Sequence, residues 1–281
     1  MLDINKGLER KLKEASALPS EGTGRAYVLS YSSETQLNIS SNKADVQTNV
    51  VITGGDFFKF HPMKLLSGYY FTESDLNYDR IVIDDNLAWQ LYGSYDVDGM
   101  KVYIAEKPFI IAAVVKSDYN IVSKEIYGDK PRAYISFDAM QIILESETYV
   151  TCFEAILPEP INGFGIGAVK EIISSDEKLI EYVQNTGRYS FITLLRKLGN
   201  MSTLSARKTN VIPPYWENDA RILDIRLAII LFFSLMSTLI PLSFIVFLLI
   251  SVFRRRKIYF NDIKRIASEK FERISQNRKG K

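Results

Sequence analysis

Apolar residues recur along this chain at three spacings, and each predicts a different kind of element. Leu8 and Leu12, with Ala15 near the same face, lie at helical spacing among charged neighbours, which predicts an amphipathic helix over residues 2–16 that stops near Pro19. Val46, Thr48, Val50 and Ile52 instead alternate with Gln47 and Asn49 up to Gly54-Gly55, and residues 25–31 are rich in apolar and aromatic side chains, so both segments read as strands. Short apolar runs at 81–83, 100–104, 109–115, 133–137 and 151–157 predict further strands. Asp84 or Asp85 is placed to cap a helix carrying Leu87, Ala88 and Leu91, with Gly93 as its left-handed exit. Asp98-Gly99 turns the chain into the strand at 100–104, and Glu106-Lys107-Pro108 joins that strand to 109–115 as a hairpin. Helices are expected over 138–145 and 166–184. Between them Gly163-Phe164-Gly165-Ile166-Gly167 predicts a turn, because its glycine spacing does not fit a dinucleotide-binding loop.

The third pattern has no polar phase at all. Residues 227–253 are 27 positions without a charge, bounded by Arg226 on one side and Arg254-Arg255-Arg256-Lys257 on the other. A helix of that length reaches about 40 Å against a hydrocarbon core of about 30 Å, so it crosses a bilayer once with length to spare. A kink is expected at Pro241, with Ser237 or Thr238 satisfying the carbonyl that the proline leaves free. The basic cluster Arg254, Arg255, Arg256 and Lys257 sets the topology, holding the carboxyl-terminal tail in the cytoplasm and placing residues 1–226 outside. Tyr215 and Trp216 then suit the outer headgroup region, where amphipathic rings settle. Residues 1–10 contain no apolar core of an export signal, so this topology implies an upstream span or signal outside the chain.

Charge divides the chain in the same way. Residues 254–281 carry 11 Lys or Arg against 3 Asp or Glu, while the remainder carries 24 against 30. A net acidic body does not neutralise nucleic-acid phosphates, which excludes that function class. Cys152 is the single cysteine and His61 the single histidine, leaving no internal disulfide and no Cys/His set for zinc. Cys152 reads as a buried strand residue, since no second histidine exists to serve as its base, and His61 as a structural or solvated imidazole. Asn38-Ile39-Ser40 and Asn200-Met201-Ser202 have the form of glycosylation acceptors, which matters only in a eukaryotic secretory setting. The sequence singles out no acid–base pair and no phosphate-binding loop, so no catalytic, cofactor or metal residue is assigned and the chain is read as no enzyme.

One ordered set of phrases is more specific. The stretch from Gly54-Gly55-Asp56-Phe57-Phe58 through Leu65-Leu66-Ser67-Gly68-Tyr69-Tyr70-Phe71 is followed by Ile81-Val82-Ile83 with Leu87-Ala88-Trp89-Gln90-Leu91-Tyr92-Gly93. Gly99-Met100-Lys101-Val102-Tyr103-Ile104 and the apolar strand 109–115 come next, then Tyr134-Ile135-Ser136-Phe137-Asp138. In this order the phrases resemble the periplasmic core domain of MacB-type, FtsX-like ABC transporter permeases, over about residues 46–140. The resemblance implies an α+β fold, an extracytoplasmic mixed sheet with helices, plus one C-terminal transmembrane helix. It gives Asp56, Phe57, Phe58, Leu65, Leu66, Gly68, Phe71, Gly93 and Gly99 structural roles, the apolar ones as buried side chains. Such permeases pass motion driven by a cytoplasmic ATPase to the exported domain, so ATP enters only through a partner ATPase.

The family has one span before this domain and three after it, whereas here none precedes and one follows. The chain therefore divides into a stalk-like amphipathic helix (1–17), an extracytoplasmic domain (18–215), a juxtamembrane segment (216–226), the span (227–253) and a basic cytoplasmic tail (254–281). In the tail Ile263, Ile266, Phe271 and Ile274 recur at helical spacing among Lys and Arg, a face suited to the anionic inner leaflet or to an ATPase. Expected partners are the membrane, an ABC ATPase subunit, and further permease subunits or a second copy in a homo-oligomer. The alternative function is a stand-alone, membrane-anchored binding or adaptor protein using the same fold.

Overall fold

Strands that are apolar on both sides need a cover on both sides, and this chain supplies two. The computed structural model describes residues 2–17, 27–117, 130–173, 179–200 and 211–279; in the last helix the side chains of 255, 257–262, 264 and 271–279 lie outside that description. Elements in chain order are α1 (Leu2–Glu14), β1 (Val28–Ser40), β2 (Asp45–Gly55), α2 (Phe57–Phe60), β3 (Leu65–Gly68), β4 (Arg80–Asp84) and α3 (Asp85–Tyr92). They continue with β5 (Lys101–Ile104), β6 (Lys107–Val115), β7 (Arg132–Ser136), a π-helix (Ala139–Ile143), β8 (Cys152–Ile156), α4 (Phe164–Ile172), α5 (Phe191–Gly199) and α6 (Tyr215–Lys279). Two compact units result, one from Met1–Thr186 with Arg207–Ile222, the other from Gly187–Ala206 with Leu223–Lys281.

The first unit holds a mixed sheet of eight strands. β2 runs parallel to β7, β7 antiparallel to β4, β4 parallel to β6, and β6 antiparallel to β5. The end of β1, at Ile39 and Ser40, pairs with β5, while Ser30–Ser40 pairs with β2, so the hydrogen-bonded path returns to its start. β3 pairs with β6 and β8 with β1 as edge strands beside this path. Side chains then sort by parity. Val50, Ile52, Ile81, Ile83, Ala133 and Ile135 join α3 and the π-helix in one core. Val51, Val82 and Tyr134 point the other way, into a second layer with Phe57 and Phe71. Runs such as Ile81-Val82-Ile83 are apolar throughout because each neighbouring residue faces a different layer.

Several elements differ from expectation. β1 continues to Ser40 through a polar, hydroxyl-rich stretch that carries little hydrophobic signal and is held by its register with β2. The β5–β6 hairpin turns at Ala105 and Glu106, both left-handed at φ 48° and 65°, one step earlier than the proline had suggested. The helix after β7 is a π-helix of five residues, its first amide bonded to Ser136 Oγ at 3.0 Å. Gly163, left-handed at φ 86°, opens α4, and Gly165 and Gly167 lie inside that helix rather than in a turn. α4 ends at Ile172; residues 174–178 of the predicted longer helix lie outside the described residues. α1 is no free-standing stalk: Leu8 and Leu12 are buried, Gly7 approaches Ile172, and Lys11 Nζ meets Glu171 Oε1 at 2.6 Å.

In the second unit α6 runs unbroken past Pro241. Ser237 Oγ and Thr238 Oγ1 donate to the carbonyls of Ser234 and Leu235, at 2.9 and 2.7 Å, rather than to the carbonyl the proline leaves free. α5 has a Ser190 cap, whose hydroxyl accepts the Thr193 amide at 3.4 Å, and no expectation had been attached to this segment.

Candidate functional site: an aromatic seat for the last helix

The second layer of the sheet is a bed of rings, and the first turn of α6 lies in it. Asp56 precedes the short helix α2 and holds Lys59 Nζ at 2.7 Å, which leaves Phe57 and Phe58 facing the sheet. Phe57 lies edge-on to Phe58 at 5.6 Å, and Phe58 stacks on Tyr70 at 4.4 Å and meets Phe71 edge-on at 5.2 Å. Trp216 enters from α6, its ring 5.8 Å from Phe57 and 4.5 Å from His61. Offset and edge-to-face pairs of this kind each contribute about 0.5–1.5 kcal/mol beyond the area they bury.

Polar groups fix the rings in place. The Tyr215 ring lies under the Arg132 guanidinium at 3.8 Å, its hydroxyl is 3.2 Å from that of Tyr134, and its amide donates to Glu34 Oε1 at 3.2 Å. His61 Nε2 lies 2.7 Å from Glu154 Oε2 on β8. One turn further along α6, Arg221 bonds Glu217 at 2.9 Å and Glu181 at 2.8 Å. Glu34 keeps an exposed edge, yet loss of water raises its carboxyl above the ordinary range against the opposing pull of the Tyr215 amide and Arg132. Burial also raises the Tyr134 phenol well above its usual value and pushes the Cys152 thiol up to about 12. A thiol so placed stays protonated and is no nucleophile at neutral pH.

Beside the rings, Tyr31, Gly54, Phe57, Glu73, Arg80 and Asp138 line a cleft with about 30 Å³ of free room, enough for one or two waters. Among the described residues no three His, Cys, Asp or Glu stand close enough to hold a metal ion. The arrangement is suited to holding a helix.

The residues singled out in the sequence fall into groups. Phe57 and Phe71 are buried in the aromatic layer with Phe58 against them. Gly68 is left-handed at φ 72°, and a Cβ there would lie 2.0 Å from the Ala112 carbonyl oxygen; Gly93 and Gly99 are left-handed at φ 70° and 79°. Leu65 and Leu66 are 39% and 40% exposed, contrary to expectation, because β3 is a short strand paired only with β6. Tyr215 and Trp216 stand in the first turn of α6 and pack against the ring layer of the domain. Arg254, Arg256, Ile263 and Ile266 are exposed on α6, and the side chains of Arg255, Lys257, Phe271 and Ile274 lie outside the described residues. Sequence reading missed Glu34, Arg132, Tyr134 and Glu154 as partners. They meet only through the register of β1, β7 and β8, which no local pattern records.

An α+β domain followed by one helix long and apolar enough to cross a membrane, Tyr215–Arg254, has the layout of a membrane-anchored domain. The chain belongs to the MacB-like periplasmic core domain family, whose model matches residues 10–162. It is 31% identical over 106 residues to the macrolide export ATP-binding/permease protein MacB of Chromobacterium violaceum, which covers 36% of this chain and 16% of that protein's length. Among solved structures, the extracellular domain of the noncanonic ABC-type transporter YknZ from Gram-positive bacteria aligns with a TM-score of 0.44 at 12% identity, over 62% of this chain and 84% of that one. The periplasmic region of MacB from Actinobacillus actinomycetemcomitans aligns at 0.43 and 13%, over 59% and 72%.

Proposed function

We propose that this chain is the permease-like component of an ABC transport system, with its α+β domain outside the cell membrane, its tail inside, and a separate cytoplasmic ATPase as the source of energy. The supporting observation is the way α6 begins. Tyr215 and Trp216 are built into the aromatic layer, and the same helix continues into the uncharged stretch at 227–253, so rotation or displacement of the helix strains ring contacts directly. Further permease subunits or a second copy complete the working assembly. The tail is the end of α6 rather than a separate helix, and its segment with Ile263, Ile266, Phe271 and Ile274 among Lys and Arg projects from the span to touch the ATPase.

Trp216 reports on this coupling, since Trp89 is the only other tryptophan. The full chain with Trp89→Phe, copurified in lipid nanodiscs with its ATPase, is expected to change Trp216 emission on adding ATP and vanadate. An ATPase that does not copurify, with emission indifferent to nucleotide, would sink the coupling and leave the stand-alone adaptor.

A further inference from the structure

Helix α5 exposes apolar side chains that a helix in water would cover. Phe191, Ile192 and Leu195 are 57%, 69% and 45% exposed, while Lys197 turns inward and reaches Asp224 Oδ1 of α6 at 2.6 Å. Arg188, just ahead of the helix, meets Asp224 Oδ2 at 2.9 Å, and both of those residues are buried. An amphipathic helix in a soluble domain turns apolar side chains to the core and charges to solvent. Here the inward charges are neutralised within the protein and Leu194 and Leu198 are half-buried, while Phe191, Ile192 and Leu195 are left outside beside the exposed Arg196, an arrangement suited to a boundary between an apolar medium and water.

The position along α6 says which medium that is. Asp224 stands three residues before Leu227, where the uncharged stretch begins, so α5 is tied to α6 at the level where that helix enters the bilayer. Beyond this point α6 exposes Ile229, Ile230 and Phe233, so apolar side chains of both helices are left uncovered near this level. Tyr189 is exposed beside the cluster, and amphipathic rings collect at such boundaries.

We infer that α5 lies in the plane of the membrane, in the headgroup region on the amino-terminal side of the span, with Phe191, Ile192 and Leu195 against acyl chains and the Arg188–Asp224–Lys197 cluster anchoring it to α6. The occupant of this apolar face is the lipid bilayer. The inference rests on α6 being a span.

The test uses the full chain in a Cys152→Ser background, spin-labelled at single cysteines replacing Ile192 or Leu195 and reconstituted in vesicles of phosphatidylcholine and phosphatidylglycerol. Leu239 in the span and Leu76, an exposed leucine of the domain, serve as lipid and water references. Collision with oxygen relative to a water-soluble nickel chelate is expected to be several-fold higher at 192 and 195 than at 76, with 239 higher still. Water-like values at 192 and 195 with lipid-like values at 239 overturn the inference alone. Exclusion of both reagents at 192 and 195 also overturns it, because another protein surface would then cover the helix. Water-like values at 239 remove the span itself and this inference with it.

Discussion

Asp84 ends one strand and starts a helix, and its buried carboxylate serves both. One oxygen accepts the Leu87 amide at 2.7 Å as the cap of α3, and the other accepts the Arg132 amide at 2.9 Å from β7 and the Ser117 hydroxyl at 3.4 Å. Desolvation outweighs these bonds and raises the group from 3.8 to about 6. The folded state therefore keeps a proton that the unfolded chain has already lost. The associated stability is fully present below about 3.8 and is lost as the pH rises through about 6. A shift of about two units corresponds to about 3 kcal/mol. In Asp84→Asn, which has no such proton, that part of the profile should vanish. Denaturant unfolding of the detergent-solubilised chain, followed by tryptophan emission, should show the difference between wild type and variant changing by about 2 kcal/mol from pH 4 to pH 7; a constant difference would refute it. The cap was legible because Asp before an apolar helical pattern is a local signal, as were Gly68 and Gly93 at positive φ. The exposure of Leu65 and Leu66 was not, because it follows from which strands flank β3 and not from their own neighbours.

Among the elements, α6 depends most on contacts remote in sequence. Its first turn contains Tyr215 and Trp216, which bind the domain because Phe57, His61 and Arg132 come together beneath them. Trp216 is half-buried, so Trp216→Ala is expected to cost about 2 kcal/mol, below the 3–5 kcal/mol of a fully enclosed aromatic. It should also loosen the start of the helix. Hydrogen exchange at the amides of residues 219–222 in the reconstituted chain should accelerate by at least tenfold, while Ile212→Ala, at an exposed site, leaves it unchanged. Equal exchange in both variants would show that the ring layer does not hold the helix. Periodic elements were readable from the sequence: β2, β4, α3 and the β5–β6 hairpin all carry their own pattern. The far half of β1 is polar and takes its conformation from β2. Signals for α5 were present in the Ser190 cap and in Phe191, Leu194, Leu195 and Leu198 at helical spacing. Its outward apolar side has meaning only once Lys197 is seen facing Asp224.

At the scale of the molecule the decisive quantity is where the charge lies relative to the uncharged stretch. Arg254, Arg255, Arg256 and Lys257 follow it without a gap, and residues 254–281 carry 11 basic against 3 acidic residues. Moving one Arg or Lys to the centre of a bilayer costs about 2.5–3.5 kcal/mol on insertion scales, so translocating the four together costs on the order of 10 kcal/mol. The domain bears the opposite sign, and acidic residues weigh little in setting orientation. The tail should therefore stay on the cytoplasmic side and the sheet outside. Protease added to intact cells expressing the full chain with a carboxyl-terminal tag should digest the domain and leave a tagged fragment of the span and tail, which disappears only after the cells are opened. Replacing Arg254, Arg255, Arg256 and Lys257 with glutamine should produce a mixed population, because the remaining tail charges lie farther from the span and hold it less firmly. Protection of the domain with loss of the tag in intact cells would reverse the orientation, and would place the aromatic seat of α6 on the same side of the membrane as ATP.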